Sequence, residues 1–197
     1  MKGWKGLFVA FGMVTAVGCQ TDSPPASPQH EEEWLAVDGC RLRVSDWSNF
    51  HAVVLLFLGC ECPISNAYAP EMERLYEEYA PRGTLWLGLH PDEDVTEADA
   101  RRHAEEYGLR FPIVLDSRRE KARAFGATKM PEAVVLDSTG KVIYRGRIDD
   151  RYYELGRSRG QPTRHDLRDV LDALLTGQKP PSSRAPAIGC DIDLPLR

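Results

Sequence analysis

The stretch AVVLLFLGCECPISNAYAPEMERLYEEYA, residues 52–80, decides the fold class of this chain. Its first seven residues are apolar without alternation, which is typical of a central strand covered on both faces. Cys60 and Cys62 follow directly, and a helix is predicted over 63–79. Its first residue, a proline, has no N–H to leave unpaired in the first turn. Pro70 should kink this helix.

The rest of the sequence alternates strand and helix patterns and closes with a hairpin and a helix. This order predicts an α/β fold in which a central mixed β-sheet is flanked by helices, preceded by an N-terminal β-hairpin. The predicted strands are 34–37, 41–44, 52–59, 84–90, 111–116, 132–137 and 141–148, and the predicted helices are 63–79, 96–108, 118–125 and 163–176.

Three chemically active side chains, Cys60, Cys62 and His90, fall where strands end. Sites in such sheets gather there, where helices begin. Cys62 should stand at the start of a helix, whose free N–H groups and positive dipole end favour a thiolate. Such a sulfur can perform thiol–disulfide exchange, reduce peroxide or bind a soft metal. The alternative is a small buried hydrophobic residue.

The stretch at 52–80, together with TLWLGLH at 84–90, resembles the strand–active site–helix–strand unit of the thioredoxin-like superfamily. It is most similar to the redoxins of the alkyl hydroperoxide reductase/thiol-specific antioxidant group and to their membrane-tethered thiol–disulfide relatives. As in thioredoxins, a proline lies eight residues after the nucleophilic cysteine. The segment MPEAVVLD, 130–137, resembles the loop whose cis-proline faces that cysteine. The resemblance implies that Cys62 is catalytic and that Pro131, Met130 and Pro63 contact the substrate.

The sequence also departs from this family. Ser65 stands where thioredoxins carry their second cysteine, and Gly59 stands where peroxiredoxins usually carry a threonine that positions the peroxide. Residues 52–58 contain no acid to accept a proton. Efficient peroxidase activity is therefore in question, and the thiol that would resolve a mixed disulfide must come from elsewhere in the chain.

The sequence leaves two candidates for the resolving thiol. Cys60 is nearest to Cys62, but a Cys-x-Cys disulfide closes a small, strained ring. Cys190 lies in a tail long enough to reach any part of the domain, and Ile188, Ile192 and Leu194 offer it docking contacts. Its segment resembles the Gly-Cys-x-Ile tail of some thioredoxin-like proteins. Cys40, at a hairpin turn, is interpreted as structural or free.

The same sulfur atoms also suggest a metal site. Cys60, Cys62, His90 and Cys190 would suit Cu(I) or Zn(II). Sco-type copper assembly proteins resemble this arrangement, although three residues rather than one separate their cysteines. The remaining histidines, His30, His51, His103 and His165, show no cluster in the sequence. The main hypothesis requires no cofactor beyond the redox cysteines.

The N-terminus predicts export. MKGWK is a basic head, and the 12 apolar residues 6–17 are too few to span a bilayer but suit a signal peptide. AVGC, 16–19, resembles a bacterial lipobox, which implies lipid on Cys19 and a domain anchored on the periplasmic side of a membrane. The predicted divisions are a signal peptide 1–18, a flexible tether 19–33, a redoxin domain 34–176 and a Pro-rich tail 177–197 that carries Cys190.

The sequence thus predicts a membrane-tethered, extracytoplasmic thiol–disulfide oxidoreductase acting on protein thiols or disulfides, with an unidentified electron donor. A thiol peroxidase acting on peroxide and a Sco-like metal carrier are the alternatives. The net charge of -5 argues against a nucleic-acid partner. The charged segment 144–156 is interpreted as a surface turn, or as a rim in which Arg147, Asp149 and Arg151 select the partner.

Overall fold

The computed structural model describes residues 32–194, so the predicted signal peptide, Cys19 and nearly all of the tether lie outside the described residues. The strands are β1 Glu33–Leu35, β2 Arg41–Arg43, β3 Ala52–Phe57, β4 Thr84–His90, β5 Ile113–Leu115, β6 Lys129–Met130, β7 Glu132–Asp137, β8 Val142–Gly146, β9 Tyr152–Glu154, β10 Arg157–Ser158, β11 Arg184–Ala185 and β12 Cys190–Asp191. The helices are α1 Pro63–Tyr79, α2 Glu97–Tyr107, α3 Glu120–Phe125 and α4 Asp166–Leu175, with 3-10 turns at Val44–Asn49 and Ala80–Arg82.

A six-stranded mixed sheet forms the centre of the molecule, in the order β11-β8-β7-β3-β4-β5. β3 runs parallel to β4 and antiparallel to β7. Every residue of β3 is fully inaccessible to solvent, as its unbroken apolar run predicted. The predicted thioredoxin-like α/β fold, with an N-terminal hairpin of β1 and β2, is therefore confirmed.

The structure confirms the predicted helix ends where nearby residues in the sequence cap the helix. Cys62 caps α1, and Pro63 occupies its first turn. The side chain of Thr96 accepts a hydrogen bond from the Asp99 backbone N–H while the Asp99 side chain accepts one from Thr96, which is the predicted capping box of α2. α2 ends at Gly108, whose backbone is left-handed.

Two predicted segments differ from the structure. Helix α4 begins at Asp166 rather than at residue 163, because the backbone N–H and hydroxyl of Thr163 both bind the Asp150 carboxylate at 2.6 Å. The charged segment that follows β8 is not a simple surface turn. Asp149 is buried, where its carboxylate accepts a hydrogen bond of 2.5 Å from the Tyr68 hydroxyl.

The C-terminal tail packs onto the domain through two short strands. β11 extends the central sheet by pairing parallel to β8, and β12 pairs antiparallel with β6. Ile192 is buried, and Ile188 and Leu194 pack partly buried against the core, as predicted for docking contacts. Within residues 32–194 no helix is both long and apolar enough to cross a bilayer.

Gly88, in the middle of β4, gives a direct test of the packing around the central sheet. A Cβ atom built there would lie 2.5 Å from Ile113 Cδ1 and 3.0 Å from side-chain atoms of Leu58 and Phe111. Gly88→Ala should therefore lower the free energy of unfolding by about 1–3 kcal/mol through overpacking, as measured by urea denaturation. Gly160→Ala is the matched control, because nothing lies within 4 Å of its added methyl group. Equal stability of the two variants would contradict this packing.

Candidate thiol active site

Cys62 stands between the end of β3 and the first turn of α1, as predicted. Its side chain is 3% exposed. The Ser65 backbone N–H points at its Sγ at 3.5 Å, as expected for a residue that caps a helix. The thiol itself donates to the backbone carbonyl of Met130 at 3.0 Å. The Cys62 sulfur therefore lies between one backbone donor and one backbone acceptor.

The Met130-Pro131 peptide bond is cis, as predicted. The resemblance to thioredoxins implied that the Met130 backbone would pair with an extended substrate. In this structure Met130 instead lies opposite Cys190 in the β6–β12 ladder. The Ile192 N–H donates to the Thr128 carbonyl at 3.0 Å, and Lys129 pairs with Asp191 at 2.5 Å. The chain's own tail therefore occupies the edge predicted for a substrate.

Gly189 makes this close approach feasible. A Cβ atom at this position would lie 2.0 Å from the Met130 carbonyl oxygen, a backbone atom that cannot move aside. The tail can lie against the cis-proline loop only because residue 189 has no side chain.

This docking places Cys190 opposite Met130, the residue whose carbonyl bonds the Cys62 thiol. Burial, a hydrogen bond with Cys62 and the charge of an ionised Cys62 together raise the pKa of Cys190 to about 11. All four cysteines of the described residues are free thiols: Cys40, exposed at the hairpin, and Cys60, Cys62 and Cys190. The thiol of the tail and the thiol of the helix therefore both lie at the cis-proline loop, each as a free thiol.

Cys60 turns toward a different set of partners. Its Sγ lies 3.6 Å from His90 Nδ1. Burial, with added repulsion from Asp92 and Asp99, raises the pKa of Cys60 to about 11. Burial and the neighbouring His103 lower the pKa of His90 to about 3, although a hydrogen bond to the Leu58 backbone opposes this shift. His90 is therefore a neutral imidazole.

The geometry groups a different set of side chains from the alternative metal set that the sequence suggested. Within residues 32–194 the side chains that could share an ion are Cys60, His90 and His103, whose ligand atoms all lie within 4.8 Å of one another. Cys62 bonds to the Met130 carbonyl, and Cys190 lies opposite Met130 in the β6–β12 ladder, so neither belongs to this cluster. His103, which showed no cluster in the sequence, joins because its ring lies 5.1 Å from the ring of His90. Its spacing of three residues from Ala100, which puts both on one face of α2, is the only hint of this in the helix sequence among the described residues.

A cleft of about 1030 Å³ opens at these side chains and is strongly acidic. Arg102 and Arg119 are its two basic side chains, whereas eight carboxylates line it: Glu61, Asp92, Glu93, Asp94, Asp99, Glu106, Asp191 and Asp193.

Pro63, a predicted substrate contact, is exposed and begins helix α1 but does not line this cleft. The charged residues predicted as a rim also lie elsewhere, since Arg147 pairs with Asp166 at 2.8 Å.

The mixed sheet, the helix-capping cysteine and the cis-proline loop define a thioredoxin-like thiol protein. The chain belongs to the AhpC/TSA family, whose model matches residues 21–145. It is similar to the solved structures of an uncharacterized conserved protein from Geobacillus kaustophilus (28% identity, 85% of this chain and 92% of that one, TM-score 0.73) and of a hypothetical protein from Sinorhizobium meliloti (22% identity, 86% and 93%, TM-score 0.73).

Among curated proteins, the chain is 32% identical over 91 residues to the thiol-disulfide oxidoreductase ResA of Halalkalibacterium halodurans, a match that covers 46% of this chain and 51% of that protein. It is 28% identical over 107 residues to ResA of Bacillus thuringiensis subsp. konkukian, covering 54% and 60%. The chain spans only half to three-fifths of the length of these relatives.

The pKa of Cys190 predicts how this thiol labels in the reduced protein. Because burial and Cys62 hold its pKa near 11, its alkylation by iodoacetamide should rise about tenfold per pH unit between pH 8 and 10, where free cysteine levels off near 8.5. Mass spectrometry of the alkylated peptide gives the rate. In Cys62→Ser the rise should move to lower pH, since the neighbouring charge is gone. A Cys190 that levels off near pH 8.5 in the unaltered chain would contradict the contact.

Proposed function

We propose that this protein is a thiol–disulfide oxidoreductase in which Cys62 is the attacking sulfur and Cys190 is the resolving thiol. The observation that carries the proposal is the pairing of β12 with β6, which places Cys190 opposite Met130, the residue whose carbonyl accepts the hydrogen bond of the Cys62 thiol. The match to the AhpC/TSA family and the similarity to ResA proteins support the same activity.

The chemistry takes two exchange steps. The Cys62 thiolate attacks one sulfur of a substrate disulfide, so that a mixed disulfide forms and one substrate thiolate leaves. Cys190 then loses its proton to solvent and attacks the Cys62 sulfur, which releases the second substrate thiolate and leaves a Cys62–Cys190 disulfide. The substrate has gained two electrons and the protein has lost two. The reverse sequence oxidises a dithiol substrate.

The two thiols are suited to this order. Cys62 has a helix N-terminus to stabilise negative charge, whereas Cys190 is held protonated by burial and by Cys62. Cys60 is a weaker candidate for resolution, because its sulfur faces His90 and a Cys-x-Cys ring is strained. Of the two alternatives that the sequence left open, the geometry therefore favours Cys190.

A trapping experiment tests these roles. Reduced full-length protein is mixed with a cationic peptide that contains a disulfide, a charge chosen to suit the acidic cleft. Cys190→Ser should accumulate the mixed disulfide on Cys62, because the resolving sulfur is missing. The unaltered chain should instead yield the Cys62–Cys190 disulfide, which peptide mapping by mass spectrometry identifies. Cys60→Ser and Cys40→Ser are the matched controls and should behave like the unaltered chain. A trapped complex in Cys60→Ser, but not in Cys190→Ser, would assign resolution to Cys60.

Gly189→Ala separates the role of the docked strand from that of the sulfur. The added methyl group would meet the Met130 carbonyl, so β12 should leave β6 while Cys190 keeps its thiol. We expect Cys62, buried in the unaltered chain, to alkylate faster in this variant, and the Cys62–Cys190 disulfide to form more slowly. Gly160→Ala, at a residue with open space around it, controls for a general effect of alanine. An unchanged rate of disulfide formation would show that docking is not required.

Peroxide reduction is a second candidate because the family model spans the site. In that reaction Cys62 would become a sulfenic acid, which Cys190 would then convert to the same disulfide with loss of water. Gly59 offers no hydroxyl to position peroxide, and Cys62 is nearly inaccessible. We expect slow peroxide consumption with a thiol donor, and none in Cys62→Ser.

We further propose that the protein works outside the cytoplasm, anchored by lipid on Cys19. The basic head and the 12 apolar residues before this cysteine support the proposal. Metabolic labelling with a radioactive fatty acid tests it, since Cys19→Ser should lose both the label and the membrane association of the protein.

A further inference from the structure

Cys60, His90 and His103 form a cluster that the disulfide chemistry does not use. Each contributes one side-chain donor atom, and these atoms lie within 4.8 Å of one another. Its two histidines are enclosed, since His90 is fully buried and His103 is 6% exposed, while the half-buried Cys60 faces the cleft. One thiol and two imidazoles are the ligands that soft and borderline d10 metal ions prefer.

The orientation of His103 is fixed from outside the cluster. The side-chain amide of Asn66 donates to the Cys60 carbonyl at 2.9 Å, which turns its oxygen toward His103 Nε2, also at 2.9 Å. An amide oxygen can only accept, so Nε2 carries the proton. Nδ1 is then left with a free lone pair. Such an outer contact, which sets the tautomer and the ring direction, typically accompanies a histidine that binds metal.

His103 Nδ1 is buried and has no hydrogen-bond partner. Buried polar atoms are nearly always paired, so an unpaired one in the interior requires an explanation. A metal ion between this nitrogen, His90 and Cys60 would satisfy it. This orphaned nitrogen is independent of the clustering itself and points to a missing ligand.

The distances suit a small thiophilic ion. Bonds of about 2.3 Å to sulfur and about 2.0 Å to nitrogen, at trigonal or tetrahedral angles, place sulfur and nitrogen roughly 3.5 Å apart. Cys60 Sγ lies 3.6 Å from His90 Nδ1. The ligand atom of His103 lies within 4.8 Å of the other two.

We propose that Cys60, His90 and His103 bind a monovalent d10 cation, Cu(I), in a three-coordinate site. One thiolate and two neutral imidazoles carry a single negative charge, so a monovalent ion leaves an enclosed site neutral. A divalent zinc ion would leave a net positive charge and an open coordination position. On binding, the Cys60 proton leaves for solvent and a sulfur–metal bond replaces the S–H bond, with no transfer of electrons. The acidic cleft that leads to the site would attract a cation.

This site is separate from the pair of thiols that performs exchange. It differs from the set that the sequence suggested, because it excludes Cys62 and Cys190 and includes His103. Cys60 would be held by the metal and would not compete with Cys190 for Cys62. Metal binding and disulfide exchange can therefore be lost independently.

The test titrates Cu(I) into the reduced full-length protein under anaerobic conditions, in competition with bicinchoninate. One equivalent should bind, and X-ray absorption should show one sulfur and two nitrogen neighbours. Cys60→Ser and His103→Gln should abolish binding. The double variant Cys62→Ser/Cys190→Ser should retain it, and Asn66→Ala should weaken affinity about 10–100-fold through loss of the orienting contact.

Several outcomes would overturn the proposal. Retention of Cu(I) by Cys60→Ser, or its loss from the Cys62/Cys190 double variant, would move the site to the other thiols. Tighter binding of Zn(II) than of Cu(I), measured with a chromophoric zinc chelator, would refute the charge argument. Circular dichroism shows whether each variant is folded. If the variant of the buried His103 is not folded, the result for Cys60→Ser decides the test. The trapping experiment on the same proteins reports exchange separately.

Discussion

The candidate site depends on the interactions that the Met130 backbone makes with two cysteines. Its carbonyl accepts the hydrogen bond of the Cys62 thiol, and the same residue is the ladder partner of Cys190. One residue of the cis-proline loop therefore holds both sulfurs, which come from positions far apart in the sequence. In the proposed exchange reaction, the helix N-terminus positions the attacking sulfur and this loop positions the resolving one.

The three cysteines near the cleft are divided between two environments. Cys62 and Cys190 both lie on Met130, whereas Cys60, only two residues before Cys62, turns toward two buried histidines. The turn between β3 and α1 sends the side chains of Cys60 and Cys62 to different neighbours. Two cysteines that are neighbours in the sequence therefore have different surroundings in the fold.

Residues 52–80 carried enough information to predict the fold, because their signals are local. The continuous apolar run dictates a buried strand, and a capping cysteine followed by proline dictates a helix start. The cis bond at Pro131 was also predicted, through resemblance. The strands β6 and β12 were not predicted. Each has only two residues, too few to show a periodic pattern, and each is a strand only because it pairs with the other. The start of α4 was missed for a related reason. Thr163 is a residue type that often caps helices, but here its N–H and hydroxyl bond to the carboxylate of Asp150, which is 13 residues away in the sequence. His103 required knowledge of which helix face meets β4.

The parallel pairing of β11 with β8 places the C-terminal tail at the open edge of the central sheet. Exposed edges offer unpaired N–H and C=O groups to neighbouring molecules and invite self-association. Shortening the chain to eliminate Cys190 would strip β11 as well and uncover β8. Solubility would then change together with the chemistry, and a loss of turnover could not be ascribed to one sulfur. The final segment serves the protein twice, as a shield for its sheet and as a carrier of its second thiol.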